Sequence, residues 1–190
     1  MAELTPLAMS VLALLNERPM HAYEMYQLLM TRQKDRIVKV RPGSLYHTVE
    51  RLAGQNYIRA TGTDRAGNRP ERTTYEITPE GGEALRQRVE SGLETYVYEY
   101  PLFPVLLSEA HNLDAEDALL RFRRRVAELD TWLADLDQAI AGARAEGFSE
   151  VYWFGVDYVR SQLARERDWL ATTIERIESK DLEWQPRKMQ

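Results

Sequence analysis

His21, His47 and His111 are the only histidines of the chain, and it has no cysteine. No two histidines stand at a metal-binding spacing, and disulfides, thiolate ligands and cysteine nucleophiles have no residue to use. A phosphate loop, a paired-glycine dinucleotide fingerprint and a nucleophile elbow are likewise missing from the sequence. The side chains that do gather meaningfully are of another kind. Ser44, His47, Thr48 and Arg51 fall opposite a stripe of Leu45, Val49 and Leu52, with Tyr46 near its edge. Hydroxyl, imidazole and guanidinium groups on the outer face of a short helix suit hydrogen bonding to base edges and phosphates. The expected chemistry is recognition, with no catalytic residue, metal or cofactor.

Charge sharpens that expectation. The net charge of −5 argues against nucleic acid, but its distribution reverses the impression. Between residues 32 and 72 ten Lys and Arg face four acids, an excess of +6, whereas residues 91 to 190 carry −7. Phosphate binding follows the local field, so the basic stretch is a candidate footprint and the acidic half is expected to stay off the duplex. No apolar run approaches the ~20 residues that span a membrane, and no basic segment followed by an apolar run opens the chain. A cytoplasmic protein that does not enter the membrane is expected.

The elements that must position these residues follow from periodicity. Leu7, Val11, Leu14 and Leu15 predict a first helix over 4–16, with Thr5 as N-cap and Pro6 in its first turn. Ala22, Met25, Leu28 and Leu29 predict a second from 21 to about 31. A polar, basic connector leads to a third helix over 42–55, where Pro42 suits the first turn. The period then changes to two: residues 57–61 and 73–78 read as strands joined by a turn through Gly67, Asn68 and Pro70, a hairpin with a basic tip. Thr78-Pro79-Glu80 starts a fourth helix whose stripe runs through Leu85, Val89, Leu93 and Tyr96 towards Pro101 and Pro104.

The second half reads as two long amphipathic helices. Asp114 caps a helix to about residue 145, where Leu119, Phe122, Val126, Leu129, Leu133, Leu136 and Ile140 alternate steps of three and four. Gly147 ends it and Ser149 caps the next, in which Tyr152, Val156, Val159, Leu163, Leu170, Ile174 and Ile177 repeat the pattern with Glu166 interrupting. Such a seam needs a partner helix. It is expected to pack the two helices together as an antiparallel hairpin and also to dock a second protomer, through Leu119, Phe122, Val126, Leu163, Leu170, Ile174 and Ile177. The fold class is therefore mainly α with a small β wing. It has a winged helix-turn-helix over 1–100, a helical dimerisation domain over 105–180 and a frayed tail over 181–190.

Four segments, in this order, resemble the PadR family of transcriptional regulators: MHAYEM (20–25), PGSLY (42–46), VERLAGQNYI (49–58) and YEITPEG (75–81). The paired long helices are similar to its larger subclass, with a helical C-terminal dimerisation domain. The resemblance implies a homodimeric repressor that places its recognition helices in successive major grooves of double-stranded operator DNA and is released by a small molecule or another signal. Two positions depart from the family pattern, Arg41 where a small cap is usual and His47 where proline is frequent. Both bear on groove specificity.

Within that frame, Tyr23, Arg41, Ser44, Tyr46, His47, Thr48 and Arg51, with Arg65, Asn68, Arg69 and Arg72 of the wing, are the candidate DNA-binding residues. Tyr23 either contacts phosphate or packs on the third helix. His47 reads a base or a phosphate, or is merely solvated. Arg51 faces phosphate or pairs with Glu50 or Glu24. The aromatics Tyr96, Tyr100, Trp132 and Trp153 either line a site for a small aromatic effector or fill helix seams and the dimer interface. A winged helix that binds protein, or a ligand-sensing dimer without DNA binding, is the alternative.

Overall fold

The computed structural model describes residues 4–64 and 72–185, with side chains at 63, 64 and 72 left aside. The chain divides into two compact units, Met1–Val97 and Tyr98–Gln190.

In the first unit, α1 (Pro6–Glu17) is capped by Thr5, whose hydroxyl accepts the Ala8 N–H at 3.3 Å. It packs on α3 (Pro42–Gly54), α4 (Pro79–Glu94) and the sheet. Leu7, Val11, Leu12 and Leu15 of α1 close one core with Met25 and Leu29 of α2 (Ala22–Thr31) and with Leu45, Val49 and Leu52 of α3. The stripe expected of α3 is thus the buried one, and it fixes which face of that helix remains outside.

The sheet is larger than a hairpin. β2 (Ile58–Asp64) and β3 (Arg72–Ile77) pair antiparallel, and a third strand, β1 (Met20–His21), pairs with β3 in the order β1-β3-β2. Two residues carry no readable period, so β1 has no sequence signal; it exists because Met20 and His21 find Tyr75 and Thr74 opposite them. Between Ala60 and Gly62 the register slips by one residue, a bulge at Thr61 that increases the local twist of the wing. The wing tip, with Arg65, Asn68 and Arg69, lies outside the described residues.

α4 is anchored at its start. Thr78 accepts the Gly81 N–H at 3.1 Å and donates to the Asn56 carbonyl at 2.8 Å. A Cβ on Gly81 would sit 2.0 Å from the Tyr57 carbonyl oxygen, so only glycine permits this approach. The expected stripe does not run on: α4 ends at Glu94, and Leu93 and Tyr96 are 82% and 86% exposed.

The second unit contains a short helix absent from the sequence reading, α5 (Leu102–Ser108), followed by α6 (Ala115–Ala145) and α7 (Phe154–Glu178). Asp114 caps α6 as expected, accepting the Asp117 N–H at 2.8 Å. Ser149 does not cap α7. A 3-10 turn over Glu150–Tyr152 intervenes, and α7 starts after Trp153, whose indole packs inside the hairpin. Nor is the tail frayed up to residue 184. Leu182 and Trp184 join the helical core, and the Trp184 indole N–H donates to the Leu113 carbonyl at 2.9 Å.

The heptad seam closes within one chain. Phe122, Leu129 and Leu170 are buried between α6 and α7 with Ile177, while Leu119, Val126, Leu163 and Ile174 are partly buried around them. Glu166 interrupts the α7 pattern for a reason: its carboxylate accepts from Arg125 Nε of α6 at 2.6 Å. Phe122, Leu170 and Ile177, which the sequence also assigns to docking a second protomer, are buried within the hairpin of one chain.

Candidate nucleic-acid interface

α3 presents two faces of opposite character. Leu45, Val49 and Leu52 face the core, while Ser44, Tyr46 and His47 are exposed. His47 Nδ1 lies 3.5 Å from Glu50 Oε2, with both side chains largely in solvent. Arg41 occupies the N-cap position without a side-chain cap bond. The first turn of α3 thus meets solvent with its positive dipole end and a guanidinium beside it, an arrangement that favours anions.

Two sequence expectations change on this helix. Thr48 was placed on the outer face, but it is 8% exposed and its hydroxyl donates to the Ser44 carbonyl at 2.7 Å. The hydroxyl turns back on its own helix, which satisfies it where water and base edges are out of reach. Arg51 pairs with neither Glu50 nor Glu24. Its Nη2 donates to the Thr5 hydroxyl at 3.3 Å, tying the last turn of α3 to the start of α1.

The basic stretch is only partly available to a partner. Arg32 makes two hydrogen bonds to the Glu17 carboxylate, and Arg59 of β2 bonds Glu76 of β3, its cross-strand neighbour. Arg18, just before this stretch, bonds Glu24. Hydrogen bonding to Arg32 and to Arg18 holds the carboxyls of Glu17 and Glu24, respectively, below the ordinary carboxylate range. These pairs brace α1, α2 and the sheet. Lys39 and Arg41, in contrast, are exposed and make no ion pair among the described residues. Lys39 was counted in the charge excess but not chosen as a site residue; its place two residues before the α3 N-cap was the signal that could have found it.

Tyr23 is half-exposed on α2, and its hydroxyl accepts from Gln27 Nε2 at 3.0 Å. Arg72 stands at the start of β3, with its backbone paired to Asp64. The connector between α2 and α3 spans residues 32–41 and contains a 3-10 turn over Lys34–Arg36, with Gln33 in the left-handed region at φ 52°. That is longer than the three- or four-residue turn of a minimal helix-turn-helix and gives room for the basic residues.

The four aromatic residues expected at an effector site are divided between the two units. Tyr96 lies in the first unit and is exposed. In the second unit Tyr100, at φ 48°, sits edge-on to Tyr98 with ring centroids 4.8 Å apart. Trp153 is buried at the closed end of the hairpin under the Arg144 guanidinium, which lies 4.7 Å from the ring centroid, and its indole N–H has no hydrogen-bond partner among the described residues. Arg144 is twelve residues further along α6 than Trp132, about 18 Å, so Trp132 and Trp153 do not line one compact site. Among the described residues no group of His, Asp and Glu is arranged to hold a metal ion, and no helix is long and apolar enough to cross a membrane.

Comparison with known proteins gives the same architecture. No curated protein matches the sequence significantly. Among solved structures, Bacillus subtilis PadR in complex with operator DNA superposes with a TM-score of 0.75 at 16% identity, covering 91% of this chain and 99% of that one. A PadR-like regulator from Bacillus cereus gives 0.67 at 18% identity, covering 92% and 99%. Bacillus subtilis PadR in complex with p-coumaric acid gives 0.70 at 13% identity, covering 92% and 98%. At these identities the likeness establishes the fold, helical second half included. Residues 11–87, which hold α2, α3, the sheet and the start of α4, match the transcriptional regulator PadR-like family. Through this segment, which is less than half of the chain, the protein is similar to the PadR-like family of transcriptional regulators.

Proposed function

We propose that the protein is a homodimeric, sequence-specific repressor that binds operator DNA through its winged helix and leaves it when a small molecule binds. One observation carries the reading. α3 buries Leu45, Val49 and Leu52 and turns Ser44, Tyr46 and His47 outward, with Lys39 and Arg41 exposed and without an ion pair among the described residues at its leading end. A rigid helix with a short polar face and a cationic entrance is what major-groove recognition requires. Ser44 and His47 are the base-reading candidates. Tyr23, Lys39, Arg41 and Tyr46 take phosphate, and the wing residues Arg65, Asn68, Arg69 and Arg72 extend the footprint to the next phosphates or the adjacent minor groove.

Two copies are needed because a palindromic site asks for two recognition helices ~34 Å apart, or a multiple of it. The second unit is where we place the dimer contact. An effector then acts by preferring one spacing of the two winged helices over another. The fold shared with Bacillus subtilis PadR, whose structures include complexes with operator DNA and with p-coumaric acid, supports the reading. Repression places the protein in the cytoplasm with its DNA.

The test is fluorescence anisotropy with duplex DNA from immediately upstream of its own coding region, against a scrambled duplex, over a range of salt. Selective binding that weakens steeply with salt is expected. Equal, weak binding to both duplexes, matched by genome-wide capture that finds no preferred site, would sink it.

A further inference from the structure

The outer face of α3 has an order of its own. At 100° per residue, Gly43, His47, Glu50 and Gly54 lie within about 30° of the line opposite the buried Leu45, Val49 and Leu52. All four are exposed. Ser44 and Arg51 fall to one side of this line and Tyr46 to the other, each turned roughly 70–90° from it. A Cβ on Gly43 or on Gly54 would meet no atom within 4 Å, so packing inside the unit does not call for glycine at either place. Bare backbone at both ends of the line does let the helix settle close to a groove floor. The side chains that reach farthest out are then His47 and Glu50, 85% and 73% exposed.

These two stand three residues apart and are neighbours on the helix surface. His47 Nδ1 lies 3.5 Å from Glu50 Oε2. Arg51, next along the chain, donates instead to the Thr5 hydroxyl. Among the described residues the Glu50 carboxylate has no other ion-pair partner, so its second oxygen is open to a ligand. We propose that Glu50 is a base-reading residue: its open oxygen accepts from the N4 amino group of a cytosine in the major groove, and His47 holds the carboxylate in place. With Nδ1 towards Glu50, His47 keeps Nε2 for a base edge of its own. The inference rests on the operator-binding reading above and adds an acidic reader to it.

Charge argues for a donor as the partner of this acid. Lys39 and Arg41 make the entrance of α3 cationic, and a carboxylate on its outermost line works against the attraction to phosphate. In the major groove the donors are the exocyclic amino groups of cytosine and adenine, whereas guanine N7 and O6 and thymine O4 are acceptors that repel a carboxylate. Adenine sets its N7 acceptor beside the amine. Cytosine offers the amine alone, so cytosine answers a carboxylate best. The same acid rejects guanine and thymine at that position, which makes the discrimination repulsive as well as attractive.

Fluorescence anisotropy of the full chain on every single-base variant of its operator reads the outcome. Wild type is expected to prefer cytosine at one position by about 10-fold over guanine or thymine, within the range of a good base contact. Glu50→Ala is expected to bind all duplexes more tightly, because an anion facing phosphates is removed, and to lose that one preference while keeping the others. Glu50→Gln is expected to move the preference at the same position to adenine, since an amide pairs with N6 and N7 together. A residue that only shaped or solvated the helix would not change one base and leave the rest. His47→Ala is expected to lower the cytosine preference as well and, combined with Glu50→Ala, to cost that position nothing more. Selective wild-type binding whose every base ratio survives Glu50→Ala and Glu50→Gln overturns the proposal and leaves the repressor reading standing. So does a Glu50-dependent preference for any base but cytosine. A wild type that does not tell its operator from a scrambled duplex overturns both.

Discussion

Thr48 and His47 are adjacent in sequence and opposite in role. Thr48 returns its hydroxyl to Ser44 inside the unit, whereas His47 meets solvent. Thr48→Val is therefore expected to leave operator affinity within about twofold of wild type, and His47→Ala to change the preferred base, both read by anisotropy on a panel of single-base operator variants. Each mismatch typically costs ~1–3 kcal/mol, so the change is measurable. Lys39→Ala is expected to weaken binding to every sequence and to lower the salt slope by about 0.9, one phosphate contact. Loss of sequence preference at an unchanged slope would contradict that role. Acid stability is decided at this scale as well. Glu17 and Glu24 have folded-state pKa values depressed by Arg32 and Arg18. Depressed carboxyls contribute stability that is present above their unfolded pKa and is lost as pH falls through the folded one. Both pairs are half-exposed and modest. Thermal melts should show the first unit weakening below about pH 4, and Arg32→Ala should flatten that dependence.

Among the elements, α4 depends most on a single position. Gly81 lets the helix start against the Tyr57 carbonyl, where a methyl would overlap backbone. Gly81→Ala is expected to cost about 3 kcal/mol, because the clash is with main chain and cannot be relieved by a rotamer. Its neighbour Gly82 has open space around it, so Gly82→Ala is expected to stabilise the same helix by about 0.5 kcal/mol. Opposite shifts of the denaturant midpoint from adjacent glycines would verify the contact; equal shifts would refute it. The start of α4 was legible, since Thr78-Pro79-Glu80 is a cap, a first-turn proline and an acid. Its end was not. Leu93 and Tyr96 continue the apolar period after the helix has left its core, and periodicity reports what a helix could bury, not whether a partner is there.

At the scale of the whole molecule, the α6–α7 seam holds the second unit together. Leu170 is fully buried in the seam and Trp169 beside it is half-exposed. Leu170→Ala is expected to destabilise the second unit by about 2–5 kcal/mol. Trp169→Ala, at a half-exposed position, is expected to leave its melting nearly unchanged. Equal drops in melting temperature for the two variants would show that burial in the seam does not set the stability of this unit. The heptads were plain in the sequence, but steps of three and four do not tell an intrachain hairpin from an interchain coiled coil, because both bury the same a and d positions.

The sequence by itself determined the element types that carry strong local signals, namely α1, α3, α6 and the two wing strands. It also determined the uneven charge and, through four ordered motifs, the resemblance to a family of regulators. These are properties of neighbours along the chain, written in period, cap and turn residues. Only the tertiary structure decided that Met20 and His21 form a strand, that Thr48 faces inward, that Arg32 and Arg59 are tied to acids while Lys39 and Arg41 are not, and that Trp184 packs on the helical core. Each of these depends on a partner distant in sequence, and burial and ion pairing are settled by what lies across the fold rather than by what comes next in the chain.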